Sequence, residues 1–118
     1  MRFSLLLLGL HVLLKRASVK NSSFKHYIRK SKAKILIKTV DGKKARLFIF
    51  EKGNVSSLKG DTNNFDAALV WKNARDGYEV MTNGNPGATF DAASEGKLLV
   101  EGMIVYAQWF EGAIKLVL

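Results

Sequence analysis

Gly96-Lys-Leu-Leu-Val-Glu-Gly102, followed at once by Met103-Ile-Val-Tyr-Ala-Gln-Trp-Phe-Glu-Gly-Ala-Ile-Lys-Leu-Val-Leu118, decides the fold of this chain. The first seven residues read as a short strand with a glycine at each end. In the next sixteen the main polar interruptions are Gln108, Glu111, Gly112 and Lys115, at i, i+3, i+4 and i+7. That spacing draws one narrow polar stripe on a helix and leaves the rest of its surface apolar. Tyr106, Trp109 and Phe110 sit on the apolar part. A small domain ending this way needs a large apolar partner, either its own sheet or a lipid.

Upstream, the order of elements follows from local pattern. Lys34 to Val40 alternates and is β-branched at Ile35, Ile37 and Thr39, so it reads as a strand. Asp41-Gly42 is a tight-turn signal. Ala45 to Phe50 is a second strand, apolar on both faces and therefore central. Gly53-Asn54 turns the chain into a short third strand, Val55 to Leu58. After the polar loop Lys59 to Asn64, Ala67 to Trp71 is a fourth strand. Asn73 caps a short helix, with Asp76 near its positive end. On it Ala74, Tyr78 and Met81 share a face, and Asn83-Gly84 ends it. Asn85-Pro86 starts a second short helix, with Phe90 and Ala93 turned inward and Glu95-Gly96 as its stop. A strand meander, two helices and a last strand that must return to the sheet give an α+β domain with a mostly antiparallel sheet of five strands.

The first thirty-two residues have a different character. The run from Phe3 to Leu14 is mostly apolar and follows a single Arg2. It is long enough for a signal-peptide core and too short to span a bilayer. Lys15-Arg16 follows it directly, and Arg16-Ala17-Ser18 makes a poor cleavage site. On a helical wheel Ser4, His11, Lys15, Ser18 and Ser22 form one polar stripe, broken only by Leu8. Residues 3–22 therefore read as an amphipathic helix, packed on the domain or lying in a membrane surface. Phe24 to Lys32 follows as a basic connector with a helical turn or two. The chain divides on this reading into a basic helical segment, 1–32, and a main domain, 33–118.

Charge is unevenly placed. Residues 1–60 carry 15 Lys and Arg against 2 Asp and Glu, whereas residues 61–118 carry 4 against 8. The basic half predicts a face that attracts phosphates, of lipid headgroups or of nucleic acid. Lys15, Arg16, Lys20, Lys25, Arg29 and Lys30 form the patch expected to meet an anionic membrane, with residues 3–14 dipping into the interface. Nucleic acid fits less well, because Phe24 and Tyr27 are the only aromatic residues among these charges.

Catalytic and metal-binding patterns are missing from the sequence. Its two histidines, His11 and His26, are far in sequence from most carboxylates. There is no nucleophile elbow, no His-x-x-x-His pair and no phosphate loop. With no cysteine, disulfides and thiolate metal sites are excluded, and a reducing, cytoplasmic setting is favoured. No cofactor and no metal are expected.

Four blocks together resemble the sterol carrier protein type-two family: Arg46-Leu-Phe-Ile-Phe50 with Gly53-Asn-Val-Ser-Ser57, Asp66-Ala-Ala-Leu-Val-Trp71, Gly96 to Gly102, and Trp109-Phe110. The resemblance covers about residues 33–118 and is similar to small stand-alone bacterial members, which carry an apolar N-terminal helix before the sheet. It implies five strands covered by helices with an apolar tunnel between. It also implies a non-enzymatic carrier of sterols, fatty acyl chains, phospholipids or isoprenoids, or an accessory subunit in isoprenoid quinone synthesis. The chain lacks the peroxisomal Ser-Lys-Leu ending. Residue reading supplies the pocket candidates: Phe48, Phe50, Leu69, Trp71, Leu98 and Val100 from the sheet, with Tyr78, Met81, Phe90, Met103, Tyr106, Trp109 and Phe110 from the helices. Met81 and Met103 stand out because flexible thioethers suit walls that re-pack around varied ligands.

Overall fold

The computed structural model describes residues 2–83 and 87–117. Its elements are α1 (Arg2–Lys20), α2 (Ser22–Ile28), β1 (Lys32–Thr39), β2 (Ala45–Glu51), β3 (Asn54–Lys59), β4 (Ala67–Trp71), α3 (Ala74–Met81), α4 (Ala88–Ser94), β5 (Leu98–Gly102) and α5 (Ile104–Lys115). The strands form one sheet in the order β3-β2-β1-β4-β5. Three neighbouring pairs are antiparallel, and β1 runs parallel to β4. The α+β architecture expected from the sequence is the one found.

Register explains why β1 and β2 are apolar on both sides. Ile35 lies opposite Phe48 and Ala67, on the side that the helices cover. Leu36 lies opposite Leu47 and Ala68, on the other side. The β2–β3 hairpin turns at Lys52 and Gly53, both with positive φ, as a two-residue hairpin loop favours. From edge strand β3 the chain must cross β2 and β1 to reach β4. The crossing uses the face away from the helices, where Phe65 packs on the Leu36, Leu47 and Val70 cluster. There Lys38 Nζ lies 2.9 Å from Asp61 Oδ2.

The helices gather on the opposite side, with α1 over β2 and β3 and α5 over β1, β4 and β5. Phe3, Leu7, Leu10, Leu14 and Ala17, spaced every three or four residues, bury one face of α1 in the main core. One face of residues 3–14 is taken by the domain, as one of the two sequence readings expected: Phe3, Leu7, Leu10 and Leu14 are buried against the sheet. Sheet burial satisfies them because the helix-facing side of β1 and β2 is already apolar and needs a cover. α1 also ends sooner than residue 22. Asn21 leaves the helix and caps α2, its Oδ1 accepting from Phe24 N at 3.0 Å, while its Nδ2 donates to Leu116 O at 3.0 Å.

Two further expectations change. Phe90 and Ala93 are not turned inward; Phe90 is 77% exposed and Ala93 is exposed as well. The inward residue of α4 is Ala92, whose carbonyl accepts from Lys97 N. That bond and the small side chain set the helix close against β5, and its phase then sends Phe90 outward. α5 ends at Lys115 rather than running to residue 118. The expected helix stop at Gly84, the start at Asn85-Pro86 and the last residue, Leu118, lie outside the described residues.

Candidate functional site

The space between sheet and helices has two unlike halves. Over β1 and β2 it is filled by aromatic rings. Phe50 meets Trp109 edge-on with centroids 4.9 Å apart, and Phe110 lies 5.9 Å from both Phe48 and Phe50. Tyr27 stacks on Trp109 at 5.5 Å and donates its hydroxyl to Trp109 O at 2.7 Å. Burial pushes the Tyr27 phenol above its usual pKa, so it stays a donor. Ring pairs of this geometry add attraction beyond their buried area, so this half is a rigid wall.

Over β4 and β5 the cover is thinner. Leu69 and Val100 are cross-strand partners on the helix-facing side, and both are only half-buried. Their neighbours on that side, Ala67, Trp71 and Leu98, are buried. Half-buried too are Tyr78, Val80 and Met81 on α3 and Tyr106 on α5, all packed against the same core. Met103, Ile104 and Val105 continue the apolar surface into solvent at the start of α5. At the rim Arg2 lies 5.7 Å from the centroid of the Tyr78 ring. This is an apolar surface whose floor is β4 and the edge strand β5.

Of the pocket candidates read from sequence, Phe48, Phe50, Trp71, Leu98 and Phe110 lie in one buried cluster. Leu69, Tyr78, Met81, Val100, Tyr106 and Trp109 border it. Phe90 and Met103, the latter 54% exposed, stand outside it. Sequence reading missed the part of α1 in this roof. Phe3 reaches under α3, where a Cβ on Gly77 would sit 2.7 Å from its Cε1 and 3.0 Å from Trp71 Cγ. The spacing of Phe3, Leu7, Leu10 and Leu14 was the available signal.

The basic candidates lie together on the outside of α1 and α2. Lys15, Arg16 and Lys20 line a shallow concavity with His11, Val12 and Val19. Lys25 and Arg29 line another with Ser18, His26 and Gly53, and Lys30 is exposed beside them. Lys15 also donates to Val55 O at 3.2 Å. On the seam between α1 and β3, Arg46 donates to Ser57 Oγ at 2.8 Å, and Ser57 Oγ shares a hydrogen bond with His11 Nδ1 at 2.7 Å. Burial first, then the nearby Arg46 and Lys15, hold the imidazole below its ordinary pKa. No group of three or more His, Cys, Asp or Glu residues able to hold a metal occurs among the described residues. None of the described helices is long and apolar enough to cross a membrane.

No protein-family model matches the chain, and no curated protein does. Solved structures do match. The "UbiJ-SCP2 ubiquinone synthesis protein" superposes with a TM-score of 0.74 at 16% identity, covering 97% of this chain and 96% of that one. Sterol carrier protein 2 from Yarrowia lipolytica, in its apo form, superposes at 0.60 with 20% identity, over 92% and 88%. This chain has the sterol carrier protein type-two fold. The same fold forms part of a larger protein, the sec-alkylsulfatase Pisa1 from Pseudomonas sp. (TM-score 0.56, 10% identity, 79% of this chain and 14% of that one). In sterol-carrier terms, Leu69 and Val100 mark the part of the sheet where the helical cover is incomplete, and the aromatic stack marks where it is closed.

Proposed function

We propose that this protein binds or carries a lipid without altering it, holding the apolar chain against Leu69 and Val100 beneath α3 and α5. The observation behind this reading is the half-buried cross-strand pair of β4 and edge strand β5, beside the buried Ala67, Trp71 and Leu98. Apolar side chains with few polar groups suit an apolar ligand. Burying a 16-carbon chain contributes on the order of 10 kcal/mol before ordering costs, at about 0.8 kcal/mol per methylene. The names of the neighbouring structures support the same class, sterol carriage in one and ubiquinone synthesis in the other. The latter favours a second role, in which the protein presents an isoprenoid to an enzyme of quinone synthesis as an accessory subunit.

Extraction of the purified protein followed by mass spectrometry tests the reading. The expected result is a co-purified hydrocarbon-chain lipid, lost or diminished in Val100→Arg. A wild-type protein that carries none and ignores fluorescent fatty acyl and isoprenoid probes overturns it.

Delivery brings in the basic surface. Lys15, Arg16, Lys20, Lys25, Arg29 and Lys30 dock the protein on anionic membrane, flanked by the exposed Leu5, Leu8, Val12 and Val19 on the outer side of α1. No acidic residue occurs before Asp41, so these helices carry no negative charge of their own. Each contributes about 1 kcal/mol near such a surface. Flotation with vesicles containing acidic lipid should carry the protein upward, and neutral vesicles should not; equal flotation removes the electrostatic part.

A further inference from the structure

Among the described residues, one buried side-chain polar atom has no partner to explain it. Trp71 is 1% exposed, and its indole Nε1 has no hydrogen-bond acceptor among the described residues. Leaving a buried N–H unpaired costs about 1–3 kcal/mol, and buried donors in native proteins are nearly always paired. The surrounding groups are engaged elsewhere. Thr39, in register with Trp71 on β1, donates its hydroxyl to Asp41 Oδ1 at 2.7 Å and accepts from Lys44 N at 3.3 Å. The Trp71 carbonyl accepts from Val40 N. Gly77 and Phe3 close over the ring, as the short distances to a Cβ on Gly77 show. A phenylalanine would fill an apolar site of this kind without the orphan, as at Phe48, Phe50 and Phe110. The donor therefore has a cost that folding alone does not offset.

Trp71 shares its side of β4 with Leu69, two residues and about 7 Å away along the strand. A chain lying on Leu69 and Val100 would meet the indole with its end by displacing the Phe3 side chain that covers the ring. Resting on the lipid-binding reading above, we infer that the ligand of this site carries a neutral oxygen acceptor, and that the Trp71 indole N–H donates a hydrogen bond to it. Ester, ketone, quinone and hydroxyl oxygens qualify. A plain hydrocarbon leaves the donor unpaired. An ionised carboxylate fits poorly, since one N–H does not meet the cost of burying its charge. Trp71 would thus select among lipids of equal apolar size by the presence of that oxygen.

Two probes of similar shape separate the cases: a decyl-substituted benzoquinone and decylbenzene. Titration of the ¹⁵N-labelled wild-type protein should move the Trp71 indole N–H resonance downfield with the quinone and leave it nearly still with decylbenzene, with Trp109 as internal reference. In parallel, Trp71→Phe should bind the quinone about tenfold more weakly than wild type, one net hydrogen bond, while its affinity for decylbenzene stays within about twofold. Melting of ligand-free Trp71→Phe checks only that the variant folds, because the cavity left by the smaller ring offsets the gain from removing an unpaired donor. If wild type binds both probes and the indole resonance responds to them alike, the selectivity inference is wrong and the lipid-binding reading survives. If the variant loses affinity for both equally, the side chain contributes shape alone and the inference again fails. Wild type that binds neither probe removes both. The spectrum of the wild-type protein decides the matter even if the variant does not fold.

Discussion

Truncating Leu14 tests whether α1 is part of the domain or a detachable segment. Leu14 is fully buried, 0% exposed, in the cluster that also holds Phe48, Phe50 and Phe110. Leu14→Ala removes the transfer energy of its outer carbons and leaves a cavity that rigid aromatic neighbours close only in part. The expected cost is about 3 kcal/mol. For a chain this long that is a large share of total stability, and it corresponds to a fall in Tm of roughly 12 °C. Leu5→Ala supplies the control. Leu5 is on the same helix and the change in helix propensity is the same, but it is 63% exposed, so its cost should stay within about 0.5 kcal/mol. Urea unfolding of both variants gives the two midpoints, and an unchanged slope shows that the transition still covers the same surface. Equal midpoints for the two variants would mean that α1 does not pack as described. The proposed boundary between 1–32 and 33–118 would then separate two independent parts.

Three other substitutions have definite outcomes. Gly102→Ala should cost about 3 kcal/mol by urea melts: φ is +81° and the new Cβ would lie 2.5 Å from Asp66 O and 3.1 Å from Ala67 Cα, backbone atoms that cannot swing away. Gly9→Ala should stabilise by up to about 1 kcal/mol in the same assay, since no atom lies within 4 Å of the added carbon and alanine favours the helix. Acid should weaken the wild type more than His11→Gln. The neutral folded imidazole takes up a proton only below the 6.5 of the unfolded chain, so its contribution is complete above pH 6.5 and drains as pH falls through the lowered folded value. Urea midpoints of both proteins at pH 7.5 and pH 5 check this, and parallel losses refute it.

Local pattern carried most of the element order. β-branched alternation marks β1, the continuous apolar run Ala67 to Trp71 marks β4, and Asn73 caps α3, its Oδ1 accepting from Asp76 N at 2.8 Å. Where a side chain competes with the backbone, pattern misplaced the boundary, as at Asn21. Where a helix is short, pattern misjudged its phase. α4 has seven residues, too few for the apolar periodicity to outvote one docking bond from Lys97, and the large ring of Phe90 lost its place to Ala92.

The candidate site divides along the same line. Residue types alone determined an α+β domain, a basic first half, an apolar last helix and a set of aromatic residues bound for one core, because each of these follows from composition or from a repeat a few residues long. Tertiary structure alone decided which of those residues form a solid wall and which a half-open floor. It packed one face of α1 against the sheet, paired Leu69 with Val100 across two strands, and left the Trp71 N–H without an acceptor among the described residues. Those outcomes depend on atoms far apart in the chain meeting at van der Waals distance, and no window along the sequence contains both members of such a pair.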